Sequence, residues 1–209
     1  MLNKLENSIK LKKLFSLLRD IPFFFLDYFL IIFSFLKNLI LKRELYKKNL
    51  VFVTGADNSF FESLVQLVDH FQNKFPNNIL IIYNLGINER KLSKLISSYP
   101  NIIVKQFNFH EYPTFYSKRD NFKKLGSYAW KSAIIYEVIK EYESQVIWMD
   151  TGNLVKGKLI FLRIVLSAFG FVSPFSVGSI KEWTHPSVLD VLSVKSNISK
   201  KRNLTGGLV

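Results

Sequence analysis

An α/β domain with a mainly parallel sheet flanked by helices, preceded by a membrane-associated helix, is the architecture that this sequence predicts. From residue 49 onward, short apolar runs rich in β-branched residues alternate with segments in which apolar residues recur at helical spacing. Such alternation is typical of βαβ units, whose strands pair in parallel. Ahead of them, residues 21–41 form one long apolar run with basic residues on both sides.

The individual elements follow from these periodicities. A strand is expected where a run of about four to eight apolar residues lies between turn signals, and a helix where apolar residues recur every third or fourth position. Strands are predicted at 49–54, 78–83, 101–109 and 146–150, with an extended segment at 171–180. Helices are predicted at 59–74, 88–98, 128–142, 154–169 and 186–194, and residues 110–125 are predicted to form a long loop.

The chain is basic, with a formal net charge of +13 over 209 residues, and it contains no cysteine. The lack of thiols excludes disulfides, thiol catalysis and zinc–thiolate sites. The basic excess favours anionic partners such as phosphates, nucleic acids or an acidic membrane surface. Because no RNA- or DNA-binding motif accompanies the charge, we expect no nucleic-acid partner.

The apolar run from Ile21 to Leu41 has about the length of a membrane span, but Asp27, Lys37 and Asn38 interrupt it. Asp27, Ser34 and Asn38 fall on one face of a helix, and basic residues flank both ends. An amphipathic helix lying in the membrane interface fits this pattern, and a true span is the second interpretation. The third is a helix packed on its own domain. We therefore predict a membrane-associated protein.

The sequence is expected to divide at about residue 48. Residues 1–48 would form a membrane anchor or interfacial helix with its linker. They hold ten basic residues and four acidic ones. Within this part, residues 10–48 would contact the membrane surface. Residues 49–209 would form the α/β domain. Its last residues, 203–209, read as a turn leading into a strand, so we expect the domain to be incomplete at its C-terminus.

A carboxylate ends the last predicted parallel strand. Asp150 follows the apolar run Val146–Met149, and Thr151 and Gly152 come directly after it. In open α/β sheets, ligands bind outside the carboxyl ends of the strands. A carboxylate beside a glycine can there hold a divalent metal or a ribose hydroxyl while a phosphate approaches the backbone. The alternative is that Asp150 merely caps the next helix.

Six short motifs lie in order along residues 51–209, about three quarters of the chain. Together they resemble the nucleotide-sugar glycosyltransferases of the GT-A type, and they imply the Rossmann-like GT-A fold. The motifs are Phe52–Asp57 (FVTGAD), Tyr83–Gly86 (YNLG), Gly126–Lys131 (GSYAWK), Trp148–Gly152 (WMDTG), Glu182–Pro186 (EWTHP) and Thr205–Gly207 (TGG).

The resemblance implies a nucleotide-sugar site. In such enzymes the first strand and its turn hold the uridine, and a helix opens near the nucleotide where Tyr128, Trp130 and Lys131 stand here. A helix N-terminus and a lysine both suit phosphate, whereas a helical tryptophan is more typical of a core. The donor-binding residues that the resemblance implies are Thr54, Gly55, Ala56, Asp57, Tyr128, Lys131, Asp150, Thr151 and Gly152.

The resemblance also implies a metal ligand and an acceptor site. Asp150 takes the first place of the Asp-x-Asp metal motif typical of the fold, but Gly152 stands in the second place. One carboxylate, the diphosphate oxygens and water would then hold Mn²⁺ or Mg²⁺. Asp190 and His185 are candidates for a catalytic base, although a cap or surface charge is the alternative for each. The implied acceptor-binding residues are Trp183, His185, Gly206 and Gly207.

By this resemblance, the expected function is that of a hexosyltransferase-like enzyme, which transfers a sugar from a nucleotide-diphosphate sugar to a glycan or lipid-linked acceptor, with UDP favoured. One alternative is a short-chain-type NAD(P)-dependent oxidoreductase, because Val53–Ala56 opens like that family and Tyr136 and Lys140 have the spacing of its catalytic pair. The glycines that would let a pyrophosphate approach that turn are missing, however. The other alternative is a truncated, non-catalytic membrane-bound α/β module.

Overall fold

The computed structural model describes residues 25, 28–40, 50–117, 128–157 and 159–204. The chain divides into two compact units. Unit 1 comprises Met1–Lys47 together with Lys158–Val172, and unit 2 comprises Lys48–Gly157 together with Ser173–Val209. The segment 158–172, which the sequence places inside the α/β domain, thus groups with the N-terminal part of the chain.

Unit 2 is built on a four-stranded parallel sheet. Its strands are β1 (Leu50–Ala56), β2 (Leu80–Asn84), β3 (Ile102–Gln106) and β4 (Gln145–Trp148). They lie in the order β3-β2-β1-β4, and every neighbouring pair is parallel. Helices flank the sheet. The predicted α/β class with a mainly parallel sheet is therefore confirmed.

The helices of the described residues are few and short enough to place by name. Residues 28–40 are helical and are called α1 here. The others are α2 (Phe61–Lys74), α3 (Glu89–Ser98), α4 (Trp130–Tyr142), α5 (Ile160–Phe169), α6 (Ile180–Trp183), α7 (Pro186–Val191) and α8 (Ser196–Ser199). Short 3-10 turns cover Asn58–Phe60, Phe109–Glu111 and Thr114–Tyr116.

Side chains of β1 alternate between the two faces of the sheet and thereby define two cores. On one face Phe52 packs against Phe71 of α2, with ring centroids 4.9 Å apart. On the other face Val51 and Val53 join a buried cluster that includes Ile134 of α4. Both neighbours of β1 are parallel strands, so its residues are buried on both faces, as expected of the centre of a parallel sheet.

The order in which strands are added to the sheet reverses at β1, because β2 and β3 lie on one side of it and β4 lies on the other. From β1 the chain steps to β2 and then to β3 on one side, and α4 afterwards carries it back over the opposite face to β4 on the other side of β1. A crevice opens outside the carboxyl ends of two strands at such a reversal, and ligands of open α/β sheets bind there. The topology thus points to the ends of β1 and β4.

The predicted element boundaries that differ from the structure include the start of one helix and the end of one strand. The helix expected from residue 154 begins only at Ile160, because residues before it are held by α2: His70 Nε2 lies 2.8 Å from the carbonyl oxygen of Val155, and Lys74 Nζ donates to that of Lys156. The strand expected to reach residue 109 ends at Gln106, because the side chain of Asn108 accepts a hydrogen bond from the backbone of His110 and caps a 3-10 turn. Neither contact is visible in local periodicity.

A second, smaller sheet follows in unit 2. Strands β5 (Phe175–Ser179) and β6 (Arg202–Leu204) pair antiparallel, and the short helices α6, α7 and α8 lie between them in sequence. Ser179 and Glu182 form a capping box at the start of α6. In the box, the hydroxyl of Ser179 accepts from the amide of Glu182 while the carboxylate of Glu182 accepts from the amide of Ser179.

Unit 1 contains α1 and α5, which contact each other. Phe33 of α1 stacks on Phe169 of α5 with centroids 6.3 Å apart, and α5 ends at Gly170, whose φ of +78° favours glycine. Within the described residues, no helix has the length and apolar character needed to cross a membrane. Asp27, predicted on the polar face of the N-terminal helix, lies outside the described residues.

Gly55 is expected to be intolerant of even one methyl group. A Cβ at this position would lie 3.2 Å from Trp130 and 3.3 Å from both Leu85 and Trp148. Since the two indole rings would have to shift by a few tenths of an ångström within a packed core, Gly55→Ala should lower the free energy of unfolding by about 1–3 kcal/mol in urea denaturation. Gly152→Ala is the matched control, because nothing lies within 4 Å of its Cβ position. Equal stability of the two variants would show that the rings over β1 are loosely packed.

Candidate functional site

Asp150 lies just beyond β4, beside the end of β1. The amide of Met149 donates to the carbonyl oxygen of Val53 at 2.9 Å, which continues the pairing of the two strands by one step. The chain then turns, and the amide of Asn153 donates to the carbonyl oxygen of Asp150 at 2.9 Å. The carboxylate of Asp150 therefore lies at the crevice where the strand order reverses.

Two partners hold the carboxylate of Asp150. The buried indole Nε1 of Trp148 donates to its Oδ1 at 2.8 Å, and the Nζ of Lys131 lies 2.8 Å from the same oxygen. Asp150 thus supplies the hydrogen-bond acceptor that a buried indole requires. It is not a helix cap, because α5 begins ten residues further on, at Ile160.

Lys131 is a largely enclosed cation. Its side chain is only 15% exposed, whereas that of Asp150 is 45% exposed. The ammonium lies over two aromatic rings, 5.4 Å from the centroid of Tyr128 and 5.3 Å from that of Trp148. Ring faces attract a cation, and a poorly solvated charge acts more strongly on its neighbours than one in bulk water. These contacts give the ammonium a defined position at the rim of the crevice.

The start of α4 adds to this positive region. Lys131 is the second residue of the helix, and Ala129 at the N-cap position has no side-chain oxygen that could accept from the first turn. The amides at a helix N-terminus and the helix dipole both favour anions. An ammonium with three donors beside such a helix start can hold a phosphate, while the exposed carboxylate can accept from a hydroxyl group.

Two tyrosines that donate hydrogen bonds to the same glutamate of α4 fix this helix against the sheet. Tyr83 of β2 donates its hydroxyl to Glu137 Oε2 of α4 at 3.0 Å, and Tyr112 donates to the other oxygen of the same carboxylate. Burial and the neighbouring carboxylate raise the pKa of Tyr83 above its ordinary value, and the same causes raise the pKa of Tyr112 to about 12. Sequence periodicity places Glu137 on a helix but does not reveal this contact.

The ends of β2 and β3 carry a second polar pair that sequence reasoning missed. Asn84 Nδ2 donates to Gln106 Oε1 at 2.8 Å, and Gln106 Nε2 donates to the carbonyl oxygen of Asn84 at 3.2 Å. Asn84 Oδ1 also accepts from the amides of Gly86 and Ile87 and so orders the turn after β2. The signal available in the sequence was an asparagine ending an apolar strand just before Leu-Gly.

The residues that the resemblance assigns to the uridine are mostly covered in this conformation. Thr54 and Ala56 are buried on the α2 side of the sheet, and Thr54 Oγ1 is buried without a hydrogen-bond partner. Gly55 lies under the rings of Trp130 and Trp148. Asp57 caps the first 3-10 turn by accepting from the amide of Ser59 at 2.8 Å. Their role in nucleotide binding stays a prediction, whereas Trp130 is a core residue, as its helical position indicated.

The remaining predicted donor-site residues cluster near Asp150. Tyr128 lies edge-on to Trp130, 5.9 Å between centroids, and adopts a φ of +65°, which is uncommon for a residue with a side chain. Thr151 is buried and Gly152 is exposed in the turn after β4. The structure therefore brings together Tyr128, Lys131, Asp150, Thr151 and Gly152.

The predicted acceptor-site residues lie in the part of unit 2 that carries the small sheet. Trp183 is exposed at the end of α6. His185 caps α7, since its Nδ1 accepts from the amide of Ser187 at 3.3 Å and lies 2.7 Å from the hydroxyl of that serine. Asp190 is exposed on the same helix. Gly206 and Gly207 lie outside the described residues.

The side chains around Asp150 do not form a complete metal site by themselves. Among the residues that the structure describes, no group of three or more His, Asp or Glu side chains is placed to hold a metal ion. Asp150 supplies one carboxylate, and its Oδ1 already has Lys131 and Trp148 as partners. Divalent cations such as Mg²⁺ need about six oxygen ligands, so most would have to come from elsewhere.

The pair that favoured an oxidoreductase lies on an exposed helix surface. Tyr136 is 62% exposed, and Lys140 lies over its ring at 5.3 Å. Both belong to the later part of α4, more than one turn beyond Lys131. Their contact is that of any two neighbouring surface side chains one helical turn apart.

A family model described as "Protein of unknown function (DUF1647)" matches residues 34–136, just under half of the chain. No curated protein matches the chain. The family model therefore carries no activity with it.

Solved structures of glycosyltransferases resemble this chain at low identity. The galactosyltransferase LgtC in complex with donor and acceptor sugar analogues is 14% identical with a TM-score of 0.48, over 76% of this chain and 56% of that one. The bifunctional glycosyltransferase WbbM in its apo form is 13% identical with a TM-score of 0.46, over 79% and 32%. Core-mannan synthase A from Aspergillus fumigatus in a Mn/GDP form is 10% identical with a TM-score of 0.40, over 73% and 49%. The chain spans about a third to just over half the length of these three.

Stability is expected to fall at alkaline pH through the tyrosine pair. Because folding raises the pKa of Tyr112 from 10.0 to about 12, its contribution is complete below pH 10 and is lost as the pH rises through about 12. Urea midpoints between pH 8 and pH 12 should fall less steeply in Tyr112→Phe than in the wild type. Tyr136→Phe on the exposed face of α4 is the control, and a slope like that of the wild type is expected for it. Identical slopes in all three proteins would contradict the assignment.

Proposed function

We propose that this chain binds a nucleoside-diphosphate sugar, with UDP-sugars favoured, and transfers the sugar to a glycan or lipid-linked acceptor. One observation carries the proposal: Lys131 and Asp150 meet 2.8 Å apart at the carboxyl edge where the sheet order reverses. Ligands of open α/β sheets bind at that place, and a cation beside a helix N-terminus suits a diphosphate. The six ordered motifs of the sequence support the same conclusion.

Lys131 would do the main work on the leaving group. Sugar transfer breaks the bond between the anomeric carbon and the diphosphate, and negative charge grows on the diphosphate oxygens as an acceptor hydroxyl attacks. A fixed cation in a poorly solvated place stabilises such charge without reorganising during the reaction. Asp150 and the rings of Tyr128 and Trp148 hold the ammonium in that place before the donor binds.

A divalent cation, Mn²⁺ or Mg²⁺, stays a prediction of the resemblance. Asp150 would be its protein ligand, and oxygens of the diphosphate and water would complete its shell. When bound, such an ion would offset the charge of the leaving group. The chain's own contribution is the carboxylate at the rim and the lysine next to it.

The acceptor side of the proposal uses the small sheet of unit 2. Exposed Trp183 offers an apolar ring face, to which the face of a sugar ring can pack. His185 and Asp190 stay candidates for the base, with Gly206 and Gly207 proposed close to the acceptor. Since His185 already caps α7, its loss would also loosen that helix.

Calorimetry on the full chain in detergent tests the donor site. We expect UDP to bind, and Lys131→Ala to weaken binding by roughly tenfold to a hundredfold, as charge-assisted hydrogen bonds contribute about 1.5–3 kcal/mol. Lys140→Ala, an exposed lysine on the same helix, should leave the affinity unchanged. GDP, CMP and NADPH complete the panel. Binding of NADPH without any nucleoside diphosphate would overturn the proposal in favour of an oxidoreductase.

The contribution of a metal is measured in the same titrations. With Mn²⁺ present, UDP should bind more tightly to the wild type, and Asp150→Asn should abolish this gain, since it removes the charged ligand but keeps an acceptor for the indole of Trp148. Equal UDP affinity with Mn²⁺ and with a chelator would remove the metal from the proposal and leave Lys131 as the counter-charge. If folded wild-type protein shows no UDP binding at all, a non-catalytic module is favoured.

A further inference from the structure

The two helices of unit 1 enclose polar groups and expose apolar ones. On α1, Ser34 and Asn38 lie one turn apart and are the side chains shielded from solvent. A helix that packs on a water-soluble body shows the opposite distribution, with its apolar stripe inside. The exposed large side chains of this segment are Phe25, Tyr28, Phe29, Ile32, Phe33, Phe35, Leu36, Leu39 and Ile40.

One hydrogen bond links a shielded polar group of α1 to the backbone of α5. Asn38 Nδ2 donates to the backbone carbonyl oxygen of Ile164 on α5 at 3.0 Å, and Ser34 Oγ donates to the carbonyl oxygen of Leu30 at 2.5 Å. Ile164 and Ala168 are the buried residues of α5. Hydrocarbon cannot satisfy polar groups, so helix pairs in lipid place amides and small residues at their contact and apolar side chains outside.

The exposed apolar surface continues from α1 onto α5. Phe29 and Phe33 stack at 6.3 Å, and Phe33 stacks on Phe169 at 6.3 Å, which joins the two helices by a row of rings. Phe29 is 63% exposed and Phe161 of α5 is 57% exposed. Such a continuous apolar patch marks an interaction site rather than ordinary protein surface.

The charge around this patch indicates what covers it. Lys37 spreads its side chain over the ring of Phe169, with Nζ 4.8 Å from the centroid. Long basic side chains cover apolar surface in this way while their charge stays in a polar layer. In the sequence, Lys42 and Arg43 follow α1, and Lys158 precedes α5. Apolar area bordered by basic residues complements a bilayer that contains anionic lipids.

We propose that α1 and α5 together form one membrane-docking face, seated in the surface of a bilayer that contains anionic phospholipid. The new element is α5: its ten residues are about 15 Å long, half of the roughly 30 Å hydrocarbon core, so it is too short to cross the bilayer and would lie within one leaflet. The apolar residues of both helices face the acyl chains, and Asn38 ties α1 to α5. The inference does not depend on the proposed reaction, because it rests on unit 1 alone.

Vesicle flotation tests the face directly. Full-length protein transferred from detergent should float with vesicles of phosphatidylcholine and phosphatidylglycerol, and less with phosphatidylcholine alone. Phe161→Glu should lower the partition coefficient by about tenfold or more, since it replaces a ring buried in the acyl chains by a charge. Ile96→Glu, an exposed apolar residue on α3, is the matched control and should float like the wild type. Equal flotation of both variants would remove α5 from the docking face.

Spin labels give a second readout that does not need a destabilising charge. The chain has no cysteine, so Phe29→Cys, Phe161→Cys or Ile96→Cys each provides a single labelling position. On vesicles, labels at 29 and 161 should be reached preferentially by oxygen, and the label at 96 by a water-soluble nickel complex. Equal nickel access at 161 and 96 would overturn the proposal. So would a protein that stays off vesicles and forms a dimer that Phe161→Glu dissociates, because a second copy would then cover the face.

Discussion

The packing of two indole rings across a glycine is the constraint on which the candidate site depends. Trp130 from α4 and Trp148 from β4 lie with centroids 5.8 Å apart over Gly55 of β1, where a Cβ would lie only 3.2 and 3.3 Å from the two rings. This contact sets the height of α4 above the sheet. Because Lys131 follows Trp130, and Asp150 follows Trp148 by two residues, the same contact brings ammonium and carboxylate to 2.8 Å. The ion pair is thus a consequence of core packing at the point where the strand order of the sheet reverses.

The carboxylate has both a structural and a chemical side. Trp148 is fully buried, and its Nε1 hydrogen needs the acceptor that Asp150 provides. At the same time, Asp150 is the half-exposed member of its ion pair, so a ligand in the crevice can reach it. A buried framework that presents a charged rim lets a site be rigid before a ligand arrives, and this rigidity is what electrostatic stabilisation of a leaving group requires.

The two units follow different solvation rules. In unit 2, apolar residues such as Phe52, Leu64 and Ile81 are buried, as in any water-soluble α/β domain. In unit 1, Ser34 and Asn38 are buried and phenylalanines face outward. The sequence predicted membrane association for residues 10–48 only, because α5 reads as one more amphipathic helix of the α/β domain. It groups with α1 through long-range contacts such as the Asn38–Ile164 hydrogen bond, which joins residues 126 positions apart.

The order of strands and helices, the parallel sheet and the position of Asp150 at a strand end were readable in the sequence, because periodicity and short apolar runs depend on local chain geometry. Tertiary structure alone decided that residues 155 and 156 stay outside α5, because His70 and Lys74 of α2 hold their carbonyl groups. A local bond of the Asn108 side chain ends β3 near Gln106. Tertiary structure also decided that Glu137 binds two tyrosines. A sequence lists the charged and polar groups of a chain, but which of them meet depends on contacts between residues far apart along it.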